Sequence, residues 1–315
     1  MPRPSTRYEP FLERHPALGL IGNTRLFRVR SEVAEGAGSG VWAKAEWLNP
    51  GGSIKDRPVM RMLLEASLAG ELRPGRTVLD SSSGNAGIAY AMIGAMLGVP
   101  VRLVIPGNAS VERLKRIRAH GAEVVLTDPL EGYDEALRTC HRLYEESPEA
   151  FYLCDQYSND HNWRAHAETT AEELLAQARA QTGADPTHFV AGIGTGGTIT
   201  GVGRRLKEHD PAIQIVAVSP DPFPGIEGLK PLSRPEDVVP AILDDSVIDR
   251  RLVVAIDEAY DGCQRLARQG VFVGQSSGAM LHACEQVARD AGPGARITTV
   301  FADLGERYFS TRLWD

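Results

Sequence analysis

One lysine and two turns of small residues are where this chain has the means to do chemistry. Lys55 stands in Asn49-Pro50-Gly51-Gly52-Ser53-Ile54-Lys55-Asp56-Arg57, on a glycine-rich bend that opens an apolar-periodic segment. Ser81-Ser82-Ser83-Gly84-Asn85-Ala86-Gly87 and Gly192-Ile193-Gly194-Thr195-Gly196-Gly197-Thr198 each follow an apolar run that reads as a strand, and each opens a helix. Such a turn aims unpaired backbone N–H groups and the positive end of a helix at one point, which suits an anion. An imine-forming lysine must be available as a neutral amine, away from water and other charges. Gly51-Gly52-Ser53 ahead of Lys55 lets a bulky ring approach the backbone. A lysine with two anion-binding turns fits a cofactor that carries an aldehyde and a phosphate, and pyridoxal 5'-phosphate carries both. Taken alone, Lys55 also reads as a surface side chain at a helix N-terminus, since most lysines are exposed.

The third stretch has a rival reading. Gly192 to Gly197 satisfies G-x-G-x-x-G after a strand and before a helix, with Asp221 beyond the next strand, which is the dinucleotide fingerprint of an NAD-linked oxidoreductase. Thr195 and Thr198 beside the glycines offer hydroxyls to a single phosphate instead, and Asp221 lies in the loop Pro220-Asp221-Pro222-Phe223-Pro224. On this motif alone the two readings are balanced.

These turns need strands and helices to hold them. Strands are expected over Val41–Glu46, Thr77–Asp80, Val101–Ile105, Glu123–Thr127, Phe151–Cys154, His188–Ala191, Ile213–Val218 and Ile297–Ala302. Helices are expected over Arg57–Leu68, Asn85–Leu97, Val111–His120, Tyr133–Glu145, Ala165–Gln181, Thr198–Glu208, Asp257–Arg268 and Ser277–Ala291. Alternating strands and helices predict parallel sheets covered on both faces, and the unbroken apolar runs at 189–193 and 215–218 fit strands buried on both sides. Gly121 stands where a helix ending at His120 takes its C-terminal cap. Residues 220–240 carry six prolines with hydrophobic residues between them and read as a long ordered loop of functional kind.

The 315 residues suffice for one large or two medium domains. With 43% hydrophobic and 24% charged residues the composition is that of a globular protein, and the net charge of −7 argues against nucleic acid or membrane partners. The arginine-bearing stretches 113–118 and 204–207 read as solvated helix faces. No apolar run reaches the ~20 residues of a membrane span, and prolines and charges fill the first dozen positions, so a cytoplasmic location is expected. Cys140, Cys154, Cys263 and Cys284 are scattered and read as reduced structural thiols. His161 and His166, five apart, do not share a helix face, and no metal site is expected.

Taken together, these motifs resemble the cysteine synthase and cystathionine β-synthase family of pyridoxal-phosphate enzymes, most nearly the B-type cysteine synthases (O-acetylserine or O-phosphoserine sulfhydrylases). The resemblance also rests on Ile21-Gly22-Asn23-Thr24, Gln156-Tyr157-Ser158-Asn159, Gly274-Gln275-Ser276-Ser277-Gly278 and the ending from Asp303 to Thr311. Ordered motifs over about 300 residues decide against the dinucleotide reading. The resemblance implies the tryptophan synthase β-like α/β fold, type II among pyridoxal-phosphate enzymes, with two open parallel-sheet domains and the cofactor in the cleft. The larger, phosphate-binding domain would take residues 1–46 and 161–315, and the smaller, mobile substrate domain 47–160. Dimerisation as a homodimer is implied as well.

The resemblance assigns roles to residues. Lys55 would hold the cofactor as an internal aldimine and then move the substrate's α-proton. Asn85 would bond the ring hydroxyl, Gly194, Thr195, Gly196, Gly197 and Thr198 would cup the phosphate, and Ser276 would face the pyridine nitrogen. A neutral hydroxyl there leaves the ring a weaker electron sink than an aspartate would, which favours prompt loss of a β-leaving group. Ser277 is expected to cap the helix that follows. Ser82, Ser83, Gly84, Asn85 and Gln156 would hold the substrate carboxylate. The reaction implied is β-replacement on O-acetylserine or O-phosphoserine through an aminoacrylate, with sulfide giving L-cysteine, or with another thiol or an amine as nucleophile. The family usually reads Thr-Ser-Gly-Asn-Thr-Gly where this chain has Ser82 to Gly87. Ala86 therefore lacks a hydroxyl, and Asp80-Ser81 departs from the usual apolar or proline-bearing lead-in. Asp221 stands where users of O-phosphoserine place an arginine, which favours O-acetylserine.

Overall fold

The computed structural model describes residues 6–82, 84–233 and 237–315, and only the backbone of residues 132–134. The elements run in chain order as α1 (Glu9–Arg14), β1 (Leu26–Val29), α2 (Glu32–Gly36), β2 (Gly40–Ala45), α3 (Asp56–Leu68), β3 (Thr77–Ser81), α4 (Asn85–Leu97) and β4 (Val101–Pro106). They continue as α5 (Val111–Ala119), β5 (Glu123–Thr127), α6 (Gly132–Glu146), β6 (Phe151–Leu153), α7 (Asp160–Ala165) and α8 (Ala171–Thr182). The last are β7 (His188–Gly192), α9 (Gly197–His209), β8 (Gln214–Pro220), β9 (Arg250–Val254), α10 (Ile256–Arg268), α11 (Gln275–Ala291) and β10 (Arg296–Phe301).

The chain divides into two compact units. The first holds residues 22–48 and 163–315 around a six-stranded sheet of order β1-β2-β10-β7-β8-β9, parallel except where β1 runs against β2. Val41, Val190, Val216, Leu281 and Phe301 fill one face of it beneath α11. On the other, α9 buries Ile199, Val202 and Leu206 with Phe189 and Ile215. The second unit holds residues 6–21 and 49–162 around a parallel sheet of order β5-β4-β3-β6. Its α3 and α4 pack Met62, Leu63, Ile88 and Ile93 with Val78 and Leu103, while α6 covers Leu79 and Val104 from the other side.

Helix α4 is apolar nearly all round and is correspondingly buried from Ala86 to Gly94. A Cβ at Gly87 would lie 2.6 Å from the Ser82 carbonyl, so glycine lets the helix start hard against its strand. Gly121 has φ +86°, the left-handed cap its position predicts.

Four expectations from the sequence need correction. Strands β1 and β9 are not expected from the sequence because each is short and carries arginine in place of an apolar run; in β9 Arg250, Arg251 and Val253 are exposed. Short α1 and α2, of six and five residues, also escaped the helical period. The helix expected over Ala165–Gln181 is interrupted by a π turn, His166–Thr170, against which α9 packs. There a Cβ at Gly201 would come within 2.1 Å of the Trp163 carbonyl. The arginine stretches are not simply solvated. Arg116 donates to Pro50 O at 3.1 Å, Arg204 pairs with Asp244 at 2.7 Å, and Lys207 pairs with Asp249 at 2.7 Å.

A buried ion pair holds the turn before β1. Lys44, wholly buried on β2, lies 2.7 Å from the Glu173 carboxylate of α8 and donates to Thr24 O at 2.8 Å. Glu173 also accepts the Asn23 N–H at 3.0 Å, where the chain bends through φ +49°. Removing one partner of such a pair strands the other charge and costs about 3–5 kcal/mol. Lys44→Met is expected to lower the denaturant midpoint by a loss of that size, read by circular dichroism; a loss under about 1 kcal/mol would refute the role of the pair.

Candidate active site

The lysine loop is locked before α3 begins. Asn49 O accepts the Gly52 N–H at 2.7 Å, and Gly52 sits at φ +75°, a conformation that favours glycine. The buried carboxylate of Asp56 receives the N–H of Gly51, where a Cβ would lie 2.2 Å from Oδ1. Lys55 occupies the N-cap position of α3, half-buried, its own N–H donating to Ser53 Oγ at 3.3 Å. The side chain makes no cap hydrogen bond.

Asn85 is the first residue of α4, half-buried beyond the N-cap Gly84, which has no side chain to cap the helix. Ser82 is buried, and its Oγ accepts the Gly87 N–H at 3.0 Å and, more weakly, the Gly84 N–H at 3.4 Å. Gln156 is buried beside this turn, donating from Nε2 to Ser81 O at 3.3 Å, while its own carbonyl accepts Asn162 Nδ2 at 2.7 Å. The fold thus brings Ser82, Gly84, Asn85 and Gln156 together; Ser83 lies outside the described residues.

In the other unit the turn Gly192 to Thr198 leaves β7 at the C-terminal edge of the parallel sheet, where ligands of open α/β sheets bind. Gly196, at φ +83°, is the N-cap of α9 and has no side chain to cap the helix, an arrangement suited to an anion. Gly197 N–H reaches Thr195 Oγ1 only at 3.5 Å. Thr198 Oγ1 lies 3.4 Å from Nε2 of buried His166, whose Nδ1 is 3.0 Å from Thr170 Oγ1. His166 behind the cup was not foreseen, because a π turn has no period that a sequence displays.

The proline-rich loop braces this turn. Lys230 N–H donates to Ile193 O at 2.7 Å, and a Cβ at Gly194 would stand 2.5 Å from Gly228 O. Glu227 N–H donates to Gln275 Oε1 at 3.1 Å, tying the loop to the start of α11. Ser276, buried in the first turn of α11, therefore opens at the same sheet edge as the cup, since α11 leads into β10 and β10 lies beside β7. Ser277 is not the cap expected of it. Gly274 holds that position, and Ser277 Oγ instead accepts the Ala302 N–H at 3.1 Å, pinning the helix start to the end of β10.

Two hydroxyls and uncapped main-chain N–H groups suit a phosphate, and a half-buried lysine on a rigid turn suits an aldehyde. The donor set fits pyridoxal phosphate. A profile of enzymes described as "Pyridoxal-phosphate dependent enzyme" matches residues 17–303. The chain belongs to that family. It is 48% identical over 314 residues to the cysteine synthase of Aquifex aeolicus (strain VF5), covering 97% of this chain and 94% of that one. Identity with cysteine synthase B of Pseudomonas aeruginosa (strain PAO1) is 38%, over 94% and 96% of the two chains. Among solved structures, an O-ureido-L-serine synthase superposes with a TM-score of 0.87 at 36% identity, covering 95% and 94%.

As in the rest of the family, the cofactor is pyridoxal phosphate. The thiols take no visible part: Cys140, Cys154, Cys263 and Cys284 are buried and unbridged, and burial pushes Cys263 up to about 12. No helix among the described residues is long and apolar enough to cross a membrane.

Gly194→Ala pushes a methyl against Gly228 O and must shift one wall of the turn. Its affinity for pyridoxal phosphate, titrated by visible absorbance, is expected to fall at least about tenfold, equivalent to ~1.4 kcal/mol. Unchanged affinity would remove this turn from the cofactor site.

Proposed function

We propose that this enzyme catalyses β-replacement on O-acetyl-L-serine, releasing acetate and adding sulfide at the β-carbon to give L-cysteine. Membership of the family at 48% identity to a cysteine synthase, with Lys55 standing on its locked turn, is the observation that carries the reading. When bound, pyridoxal phosphate supplies an aldehyde that condenses with amines and a ring that withdraws electrons from the substrate's α-carbon.

The chain's own residues divide the remaining work. Lys55 Nζ would hold the aldehyde carbon of the bound cofactor and would carry the α-proton. Its backbone is immobilised by Ser53 and by the turn that Asp56 closes, so little reorganisation accompanies the transfer. Gly194, Thr195, Gly196, Gly197 and Thr198 hold the phosphate, Asn85 the ring hydroxyl, and Ser276 the pyridine nitrogen with a neutral hydroxyl. Ser82, Ser83, Gly84, Asn85 and Gln156 receive the α-carboxylate. The buried methyl of Ala86 offers it no hydrogen bond, which leaves the backbone N–H groups of the turn to bear that charge. Asp221, in place of a cation, disfavours the dianionic leaving group of O-phosphoserine.

The unit of residues 22–48 and 163–315 then serves the phosphate, and the unit of residues 49–162 serves the substrate, as a mobile domain. A homodimer working in the cytoplasm completes the proposal. The resemblance to an O-ureido-L-serine synthase favours a second reading in which the nucleophile is not sulfide.

Parent enzyme mixed with O-acetylserine is expected to lose its resting visible band and to recover it when sulfide is added, with L-cysteine appearing. O-phosphoserine should leave the band unmoved, and recovery with amines but not sulfide would transfer the assignment to the second reading. Lys55→Ala, loaded with excess cofactor, should lose at least about 10³-fold in turnover; parent-level turnover would refute the role of Lys55.

A further inference from the structure

Strand β3 carries a buried acid directly beneath the asparagine turn. Side chains alternate along the strand, so Val78 faces α3 and α4, Leu79 faces α6, and Asp80 falls under the start of α4, 2% exposed. Two donors from the two ends of the turn converge on its carboxylate. The buried hydroxyl of Tyr90, in the second turn of α4, donates to Oδ2. The N–H of Ser81 donates to Oδ1 at 2.7 Å. On the flank of the turn, Gln156 donates to Ser81 O at 3.3 Å. The end of β3 and the second turn of α4 are therefore tied to each other by a carboxyl–phenol latch.

We propose that Asp80 is a positioning residue whose charge state sets how tightly this turn holds the substrate's α-carboxylate, loosening it as the pH rises. The proposal rests on the β-replacement reading above. Burial pushes the Asp80 carboxyl up to about 7; the negative charge of Asp155 adds to this, and the hydrogen bonds from Tyr90 and Ser81 oppose it. The titratable groups facing it are Tyr90 from α4, Tyr152, Cys154 and Asp155 from β6 and the turn after it, and Cys140 from α6. Burial pushes Tyr90, Cys154, Tyr152 and Cys140 upward, so at neutral pH they stay uncharged while Asp80 changes state.

Below about pH 6 the carboxyl keeps its proton and the turn presents its N–H groups over neutral ground. Above about pH 8 a negative charge lies beneath the site meant for another. Like charges repel more strongly in this water-poor interior than in bulk water, and the expected weakening of binding is roughly tenfold.

The experiment compares the parent, Asp80→Asn and Tyr90→Phe from about pH 5.5 to 8.5 with O-acetylserine as the probe. The KM of the parent divided by that of Asp80→Asn should rise roughly tenfold through pH 7, with the ratio of kcat values level. Tyr90→Phe, which takes a donor from the carboxylate, should move that rise to higher pH. In cofactor-free protein, an infrared carboxyl band lost between about pH 6 and 8 should be absent from Asp80→Asn. A KM ratio that stays flat overturns the proposal and leaves the reaction standing. Absence of turnover at any pH overturns the reaction instead. Absence of a titrating carboxyl band overturns the proposal in either event, and also if Asp80→Asn does not fold.

Discussion

Main-chain N–H groups at the start of a helix must find an acceptor, and at the motif helices of this protein the N-cap residue is a lysine or a glycine, neither of which has a side-chain acceptor to offer. Helices α3, α4, α9 and α11 begin at Lys55, Gly84, Gly196 and Gly274 with no side-chain cap bond. Ser31 does cap α2, but the N-cap residues of α1, α5, α6, α8 and α10 make no side-chain cap bond either. An uncapped, partly buried helix end is costly until an anion arrives. The proposed phosphate and carboxylate sites lie at two of these starts, those of α9 and α4, and the neighbouring segments keep them in place.

What keeps them in place is close approach. Glycine at 51, 87 and 194 admits the Asp56 carboxylate, the Ser82 carbonyl and the Gly228 carbonyl to within 2.2 to 2.6 Å of where a Cβ would stand. Each contact sets one wall of a turn against a rigid neighbour. The motifs are rich in glycine for this packing as much as for turn conformation, since only Gly52 and Gly196 among those discussed take positive φ in the two turns. Asp56 and Asp80 are alike in being buried acids, each accepting a main-chain N–H at the edge of one of these turns.

Much of this was legible beforehand. Strands buried on both faces, such as β7 and β8, write their apolar runs openly, and edge strand β5 and helix α4 also fall on the expected bounds. Strands β1 and β9, which carry arginine in place of an apolar run, do not. Ser276 and Ser277 show the limit for side chains. Two adjacent serines before a helix suggest a cap, and only the strand order, which sets β10 against the start of α11, sends the Ser277 hydroxyl to Ala302 instead.

Local order along the chain was sufficient for the alternation of strands and helices, for the lysine on its bend, and for the small-residue turns, because each depends on residues within a few positions of one another. Contacts between distant segments needed the tertiary structure. The Lys44–Glu173 pair, the brace of Gly228 on Gly194, the π turn that sets His166 behind Thr198, and the position of Gln156 against Ser81 all join residues that the sequence separates. Burial belongs with them. Asp80 looks like any acid at the end of a strand until α4 closes over it, and its rise to about 7 comes from the water that closure removes.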